Sequence, residues 1–198
     1  MKKLFFILPV LIASSLLLSN ACRKSSEPTL PKETQNGANT AGCLINGKLW
    51  ISEGCGGFSF PQEREKGYFS YDVIKKRLII FFQRCNDKER SFFSFTIENY
   101  KGPGQYNCDK TSYIPGIPGS AGLRNSHMWL YSAKGPPLPD DSNYITFEEA
   151  TGSITITKVD TISRPLFASG TFECKLKNLY NYNDSIIIAK GRFDIINQ

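Results

Sequence analysis

The chain has 198 residues, a net charge of +6, six cysteines and a single histidine. This length bounds it to one or two domains. A mild basic excess without an Arg-rich run or nucleic-acid motif excludes a dedicated nucleic-acid binder, and one histidine excludes a multi-histidine metal site.

The first residues divide as an export signal does. Lys2 and Lys3 form a positive start, Leu4 to Leu18 is a nearly unbroken apolar run, and Ser19, Asn20 and Ala21 are small or polar. That run is shorter than the roughly 20 apolar residues a membrane-spanning helix needs. The sequence Leu18-Ser19-Asn20-Ala21-Cys22 resembles the lipobox of bacterial lipoproteins, with Ser19 where that motif usually has Leu. The resemblance implies cleavage before Cys22, diacylation of its thiol and a membrane anchor. Each buried CH₂ contributes about 0.8 kcal/mol, so two or three acyl chains hold firmly where one does not. Residues 1–21 are therefore expected to be a signal peptide.

From Cys22 to Gly42 the chain is rich in Ser, Thr, Pro, Asn, Gly and charge. Too little apolar surface is present to offset ordering, which predicts a flexible tether. Arg23 and Lys24, not acids, follow the cysteine. This favours the outer membrane facing the periplasm, with the cell surface as the alternative. The signal holds two lysines and no acid, leaving +4 on the mature chain.

A single domain is expected over residues 43–198, and its pattern is β throughout. Cys43 to Ser52 carries Asn46-Gly47, a hairpin-turn signal, so two short strands or one bulged strand are predicted. Gly67 to Ile74 reads as a strand. Lys76 to Arg84 is apolar on both faces, which predicts a central buried strand. Asn86-Asp87-Lys88 is turn chemistry, and Arg90 to Tyr100 then alternates with Phe93, Phe95 and Ile97 on one face.

Lys101 to Ser126 is loop-like, with a short strand predicted at Gln105 to Cys108. His127 to Ser132 is a short strand, and Ala133 to Asn143 is a second Pro-rich loop. Asn143 to Glu149 and Gly152 to Asp160 are predicted strands joined by Ala150-Thr151-Gly152, with Ile154 and Ile156 inward. Leu166 to Asn178 and Asp184 to Ile196 form a final long hairpin. Isolated glycines within it, Gly170 and Gly191, mark bulges or bends. No stretch has sustained helical periodicity. Nine or ten strands joined in sequence predict an all-β fold, an antiparallel β-sandwich or flattened β-barrel.

Two stretches carry a family resemblance. Asn46-Gly47-Lys48-Leu49-Trp50 stands near the start, and Ser169-Gly170-Thr171-Phe172 and Gly191-Arg192-Phe193-Asp194 stand near the end. Together they resemble an uncharacterised family of small Bacteroidota-type lipoproteins. The resemblance implies an all-β envelope domain and transfers no catalytic residue. Independently, Trp50, Phe172 and Phe193 read as core aromatics on inner faces.

An exported compartment is oxidising, so disulfides are expected. Cys43, Cys55, Cys85, Cys108 and Cys174 are odd in number and allow at most two bridges. Cys55 with Cys85 is the favoured pair, both near predicted strand ends. No CxxC pair occurs, which argues against zinc and thioredoxin-like chemistry. No cofactor is expected.

His127 lies in an apolar strand beside Met128 and Trp129, and no GxSxG elbow is present. Asp140-Asp141 and Glu148-Glu149 could serve glycoside hydrolysis, but neighbours on a strand point to opposite faces. No catalytic residue is assigned. Tyr106, Tyr113, Trp129, Tyr131 and Tyr144 surround the two Pro/Gly-rich loops, and loops on a rigid scaffold commonly carry recognition. The expected function is non-enzymatic binding of a glycan, a hydrophobic ligand or a partner protein in the envelope. The alternatives are an assembly accessory that docks by an edge strand, and a hydrolase using acidic residues.

Overall fold

A computed structural model of the chain describes residues 29–54, 66–86, 88–108, 126–135, 137–146, 150–162, 164–181 and 183–197. Eleven strands follow in order: β1 (Thr40–Ile45), β2 (Lys48–Ile51), β3 (Gly67–Asp72), β4 (Arg77–Cys85), β5 (Arg90–Ile97), β6 (Gly104–Cys108), β7 (His127–Lys134), β8 (Ser142–Ile145), β9 (Gly152–Asp160), β10 (Leu166–Asn178) and β11 (Ser185–Asn197). Among the described residues there is no helix. The class is all-β, as the alternation predicts.

One antiparallel sheet runs β2-β1-β11-β10-β8-β7-β5-β4-β3 and curls into a half-barrel. β9 pairs with β10 and carries β6 on its other side. At the far edge β3 returns against β11, and Glu53, just past β2, bridges to Arg84 of β4.

The local signals explain most of this. Asn46 and Gly47 both take left-handed backbone angles in the β1–β2 turn, as that dipeptide favours. The Asn86 side chain accepts from the amides of Lys88 and Glu89 and turns β4 into β5. One expectation, a β4 buried on both faces, is corrected. β8 and β9 follow one another without pairing: β8 pairs with Lys177 and Asn178, while β9 pairs with Phe167 to Cys174, so the two lie end to end along one edge of β10. A 13-residue strand offers edge for both. β4 is buried on its inner face only. Ile79 and Phe81 on its outer face remain half-exposed, because no second layer among the described residues covers them.

The interior is aromatic. Trp50, Phe82, Phe93, Phe95, Phe172 and Phe193 are all buried. Phe82 and Phe95 of one wall meet Phe172 and Phe193 of the opposite wall at ring centroid distances of 4.7–6.3 Å. Trp50 packs edge-on against Phe93, and its indole N–H donates to the Ser91 hydroxyl at 2.8 Å. Burying an indole without such a partner would leave a donor unsatisfied.

The two C-terminal motifs interlock across β10–β11. Gly170 lies opposite Phe193, and Gly191 lies opposite Phe172. A Cβ at Gly191 would stand 2.6 Å from the Phe172 ring, and one at Gly170 would stand 2.8 Å from the Phe193 ring. Each glycine thus makes room for the aromatic of the other strand. The expected irregularities fall beside them, with register shifts at Ser169/Gly170 and Phe172/Cys174.

Residues 29–39 depart from the tether expected through Gly42. Asp194, 1% exposed, accepts from the hydroxyls of Thr34 and Ser169 and from the amides of Asn36, Gly37 and Ala38, at 2.6–3.2 Å. Arg192 donates to the Pro31 carbonyl. Four donors of the segment, joined by Ser169 of β10, converge on one carboxylate and fix a stretch whose composition reads as unstructured. Composition registers local apolar content, and the partner lies some 160 positions away.

Candidate functional site

Alternation on β3, β4, β5 and β7 sends one set of rings inward and a second set outward. The outward set is Tyr68, Phe81, Phe92, Trp129 and Tyr131. Tyr68 stacks on Phe81 at 5.1 Å and 24°, and Phe81 meets Phe92 at 5.3 Å. Phe92 meets Trp129 edge-on at 5.4 Å and Tyr131 at 5.2 Å. The rings form one continuous stripe across four strands. Three inter-strand spacings give it a length of roughly 14 Å. Tyr68 is 43% exposed and the other four are half-buried.

Polar groups hold and border the stripe. The Trp129 indole donates to Asn143 Oδ1 at 3.2 Å, and the Tyr131 hydroxyl donates to Asp141 Oδ1 at 3.2 Å. Partial burial, and then the Asp141 carboxylate, raise the Tyr131 phenol, so it remains a neutral donor. Ser94 lies between Phe81 and Trp129 in the register. Packing against neighbours on adjacent strands limits how far each ring can turn, so the surface is pre-formed.

Of the five aromatics read from sequence, the structure brings Trp129 and Tyr131 together on this face. Tyr144 is buried, and its hydroxyl donates to Asp184 at 2.7 Å. Burial and that carboxylate push its phenol up to about 12. It closes the β8–β10 junction and presents nothing to a ligand. Tyr106 packs on Tyr100 at 5.7 Å and donates to the Gly102 carbonyl, bracing the chain into β6. Tyr113 lies outside the described residues. Tyr68, Phe81 and Phe92 lie on strands away from the Pro/Gly-rich loops that the sequence marks for recognition. The signal that finds them is the doubly apolar β4 and the adjacent aromatics at 92 and 93, which must point to opposite faces.

Two concavities among the described residues lie over β9–β11. One, of about 440 Å³, is bordered by Glu33, Ser153, Thr155, Lys190 and Arg192. It is lined mainly by short polar and charged groups and carries no row of rings.

The cysteines divide. Cys85 is disulfide-bonded. Cys43, Cys108 and Cys174 are buried and in no disulfide, so its partner is not one of these. Among the described residues no two cysteines are joined, and Cys55 and Cys22 lie outside them. Hydrogen bonds between Glu53 and the backbone of Gln83 and Cys85 carry the chain alongside β4 two residues before Cys55. Burial pushes the Cys43 and Cys174 thiols up, which makes both poor nucleophiles.

Asp140 accepts from the Gly135 amide and shapes the β7–β8 turn. Asp141 engages Tyr131, and Glu148 and Glu149 lie outside the described residues. His127 is buried at the start of β7. Among the described residues no group of three His, Cys, Asp or Glu is placed to hold a metal ion.

Comparison with family models, with curated proteins and with solved structures finds no match.

Proposed function

We propose that this chain is a lipid-anchored, non-enzymatic binding domain of the cell envelope, and that its ligand is a glycan received on the outer aromatic stripe. The carrying observation is the unbroken row Tyr68–Phe81–Phe92–Trp129/Tyr131 on a rigid sheet face. Sugar rings present C–H faces that pack on aromatic rings, and hydroxyls that need hydrogen-bond partners. The stripe supplies rings, with Asn143, Ser94 and Asp141 beside them. A hydrophobic ligand enclosed in a barrel fits less well, because the described interior is filled by its own aromatic side chains. The anchor rests on Cys22 and the signal that precedes it.

The test is thermal melting and tryptophan fluorescence with a panel of envelope and host glycans, fatty acids and divalent metals. A ligand at 100 times its Kd adds about 2.7 kcal/mol to stability, which moves the melting point of a domain this size by several degrees. A shift with one glycan class, lost in Trp129→Ala, is expected. A shift with fatty acids alone, or a glycan shift indifferent to Trp129, overturns the reading.

A further inference from the structure

Three connections open on one end of the half-barrel. The Tyr100 amide, past β5, donates to the Lys76 carbonyl in the β3–β4 turn. Tyr100 also packs on Tyr71 and on Tyr106. Tyr106 pairs with Ile154 and Gly104 with Ile156, and β9 continues past them to the β9–β10 turn at Asp160. The β3–β4 turn, the β5–β6 connection and the β9–β10 turn therefore share that end.

Both turns raise an isoleucine into water. Val73 is 70% exposed, Ile74 94% and Ile162 91%. The two turns are built alike. Asp72 accepts from the Ile74 amide and Asp160 from the Ile162 amide, each at 3.0 Å. The acids at the turns cap the turn backbone, Asp72 also pairs with Lys75 at 3.8 Å, and Glu98 is held by Arg77. Exposed cations lie on or beside these connections: Lys75, Lys76, Lys101, Lys158 and Arg164. Aliphatic tips among cations match the chemistry of an anionic bilayer surface, where the tips enter among acyl chains and the cations meet headgroups.

We infer that this end of the domain rests on an anionic phospholipid surface, with Ile74 and Ile162 as its inserting tips. The inference draws on the proposed anchor for proximity: an acylated Cys22 holds Thr29 within about 25 Å of the bilayer at full extension. Docked at this end, the domain leaves the aromatic stripe on its side wall, clear of the membrane.

The measurement is co-sedimentation of unacylated chain from residue 23 onward, which contains every described strand, with vesicles of phosphatidylcholine alone or mixed with phosphatidylglycerol. Binding at least about tenfold stronger to the anionic vesicles is expected, since each lysine near such a surface adds a several-fold gain. Ile74→Asp with Ile162→Asp should remove it while leaving the melting point unchanged. No binding, or binding that the double variant retains, overturns the inference. The mass of protein purified from the envelope decides the anchor separately. An acylated Cys22 without vesicle binding leaves the anchor and sinks this surface. Vesicle binding with a bare Cys22 does the reverse.

Discussion

The two aromatic sets of this domain sit on opposite faces of the same strands, one residue apart. Phe82 points in and Phe81 out; Phe93 points in and Phe92 out; Leu130 points in, with Trp129 and Tyr131 out. The inner set is closed on all sides by the curl of the sheet and by the glycines that face Phe172 and Phe193. The outer set packs ring against ring along the stripe and stays partly open to solvent. Similar chemistry thus serves cohesion on one side and the proposed recognition on the other, and the pleat alone sets the two apart.

Substitutions separate the two. Removing an inner ring should cost most. Trp50→Ala deletes a buried indole and strands the Ser91 hydroxyl, and should destabilise by about 3–5 kcal/mol, measured by denaturant unfolding. A loss below about 1 kcal/mol would mean that the inner cluster does not carry the fold.

Next comes the docked N-terminal segment. Asp194→Asn leaves an amide where five donors converge, and should cost about 2–4 kcal/mol. Burial alone would raise the Asp194 carboxyl, but hydrogen bonds from Ala38, Ser169, Thr34 and Asn36 hold it below the ordinary carboxylate range. Its contribution is therefore whole above the unfolded value near pH 4, and falls away as the pH drops through the lower folded value. Acid titration of stability should show wild type losing its advantage over Asp194→Asn only below about pH 4. An advantage that vanished already at pH 6 would contradict the five-donor arrangement.

The Cys85 disulfide should contribute about 2–4 kcal/mol. Peptide mapping without reduction should recover Cys85 joined to Cys55, with Cys43, Cys108 and Cys174 alkylated only after unfolding. Recovery of Cys85 with any other cysteine would refute that pairing.

Much of this was readable from the chain. The all-β class, the turns at Asn46-Gly47 and at Asn86, the long β10–β11 hairpin and the inward Phe93, Phe95, Ile97, Ile154 and Ile156 all follow from alternation and turn residues. Ser169, Gly170, Phe172, Gly191 and Asp194 turn out to be one interlocked set, which explains why those short motifs stand out. Long-range relations were not legible. Nothing local tells that β8 and β9 share an edge of β10, or that Asp194 gathers the segment at 34–38. The candidate site was half legible. Trp129 and Tyr131 are legible as loop neighbours, while Phe81 belongs to a strand read as buried on both faces and Tyr68 and Phe92 lie on strands away from the loops.

The smallest expected effect on stability is also the most direct test. Phe92→Ala with Trp129→Ala opens the middle of the outer stripe, where both rings are half-buried and their removal should cost about 1–2 kcal/mol, less than that of an inner ring. The measurement is glycan affinity of this double variant beside its unfolding free energy. Near-native stability with binding lost is the expected result. Binding retained at wild-type strength would contradict the assignment of the stripe as the recognition surface.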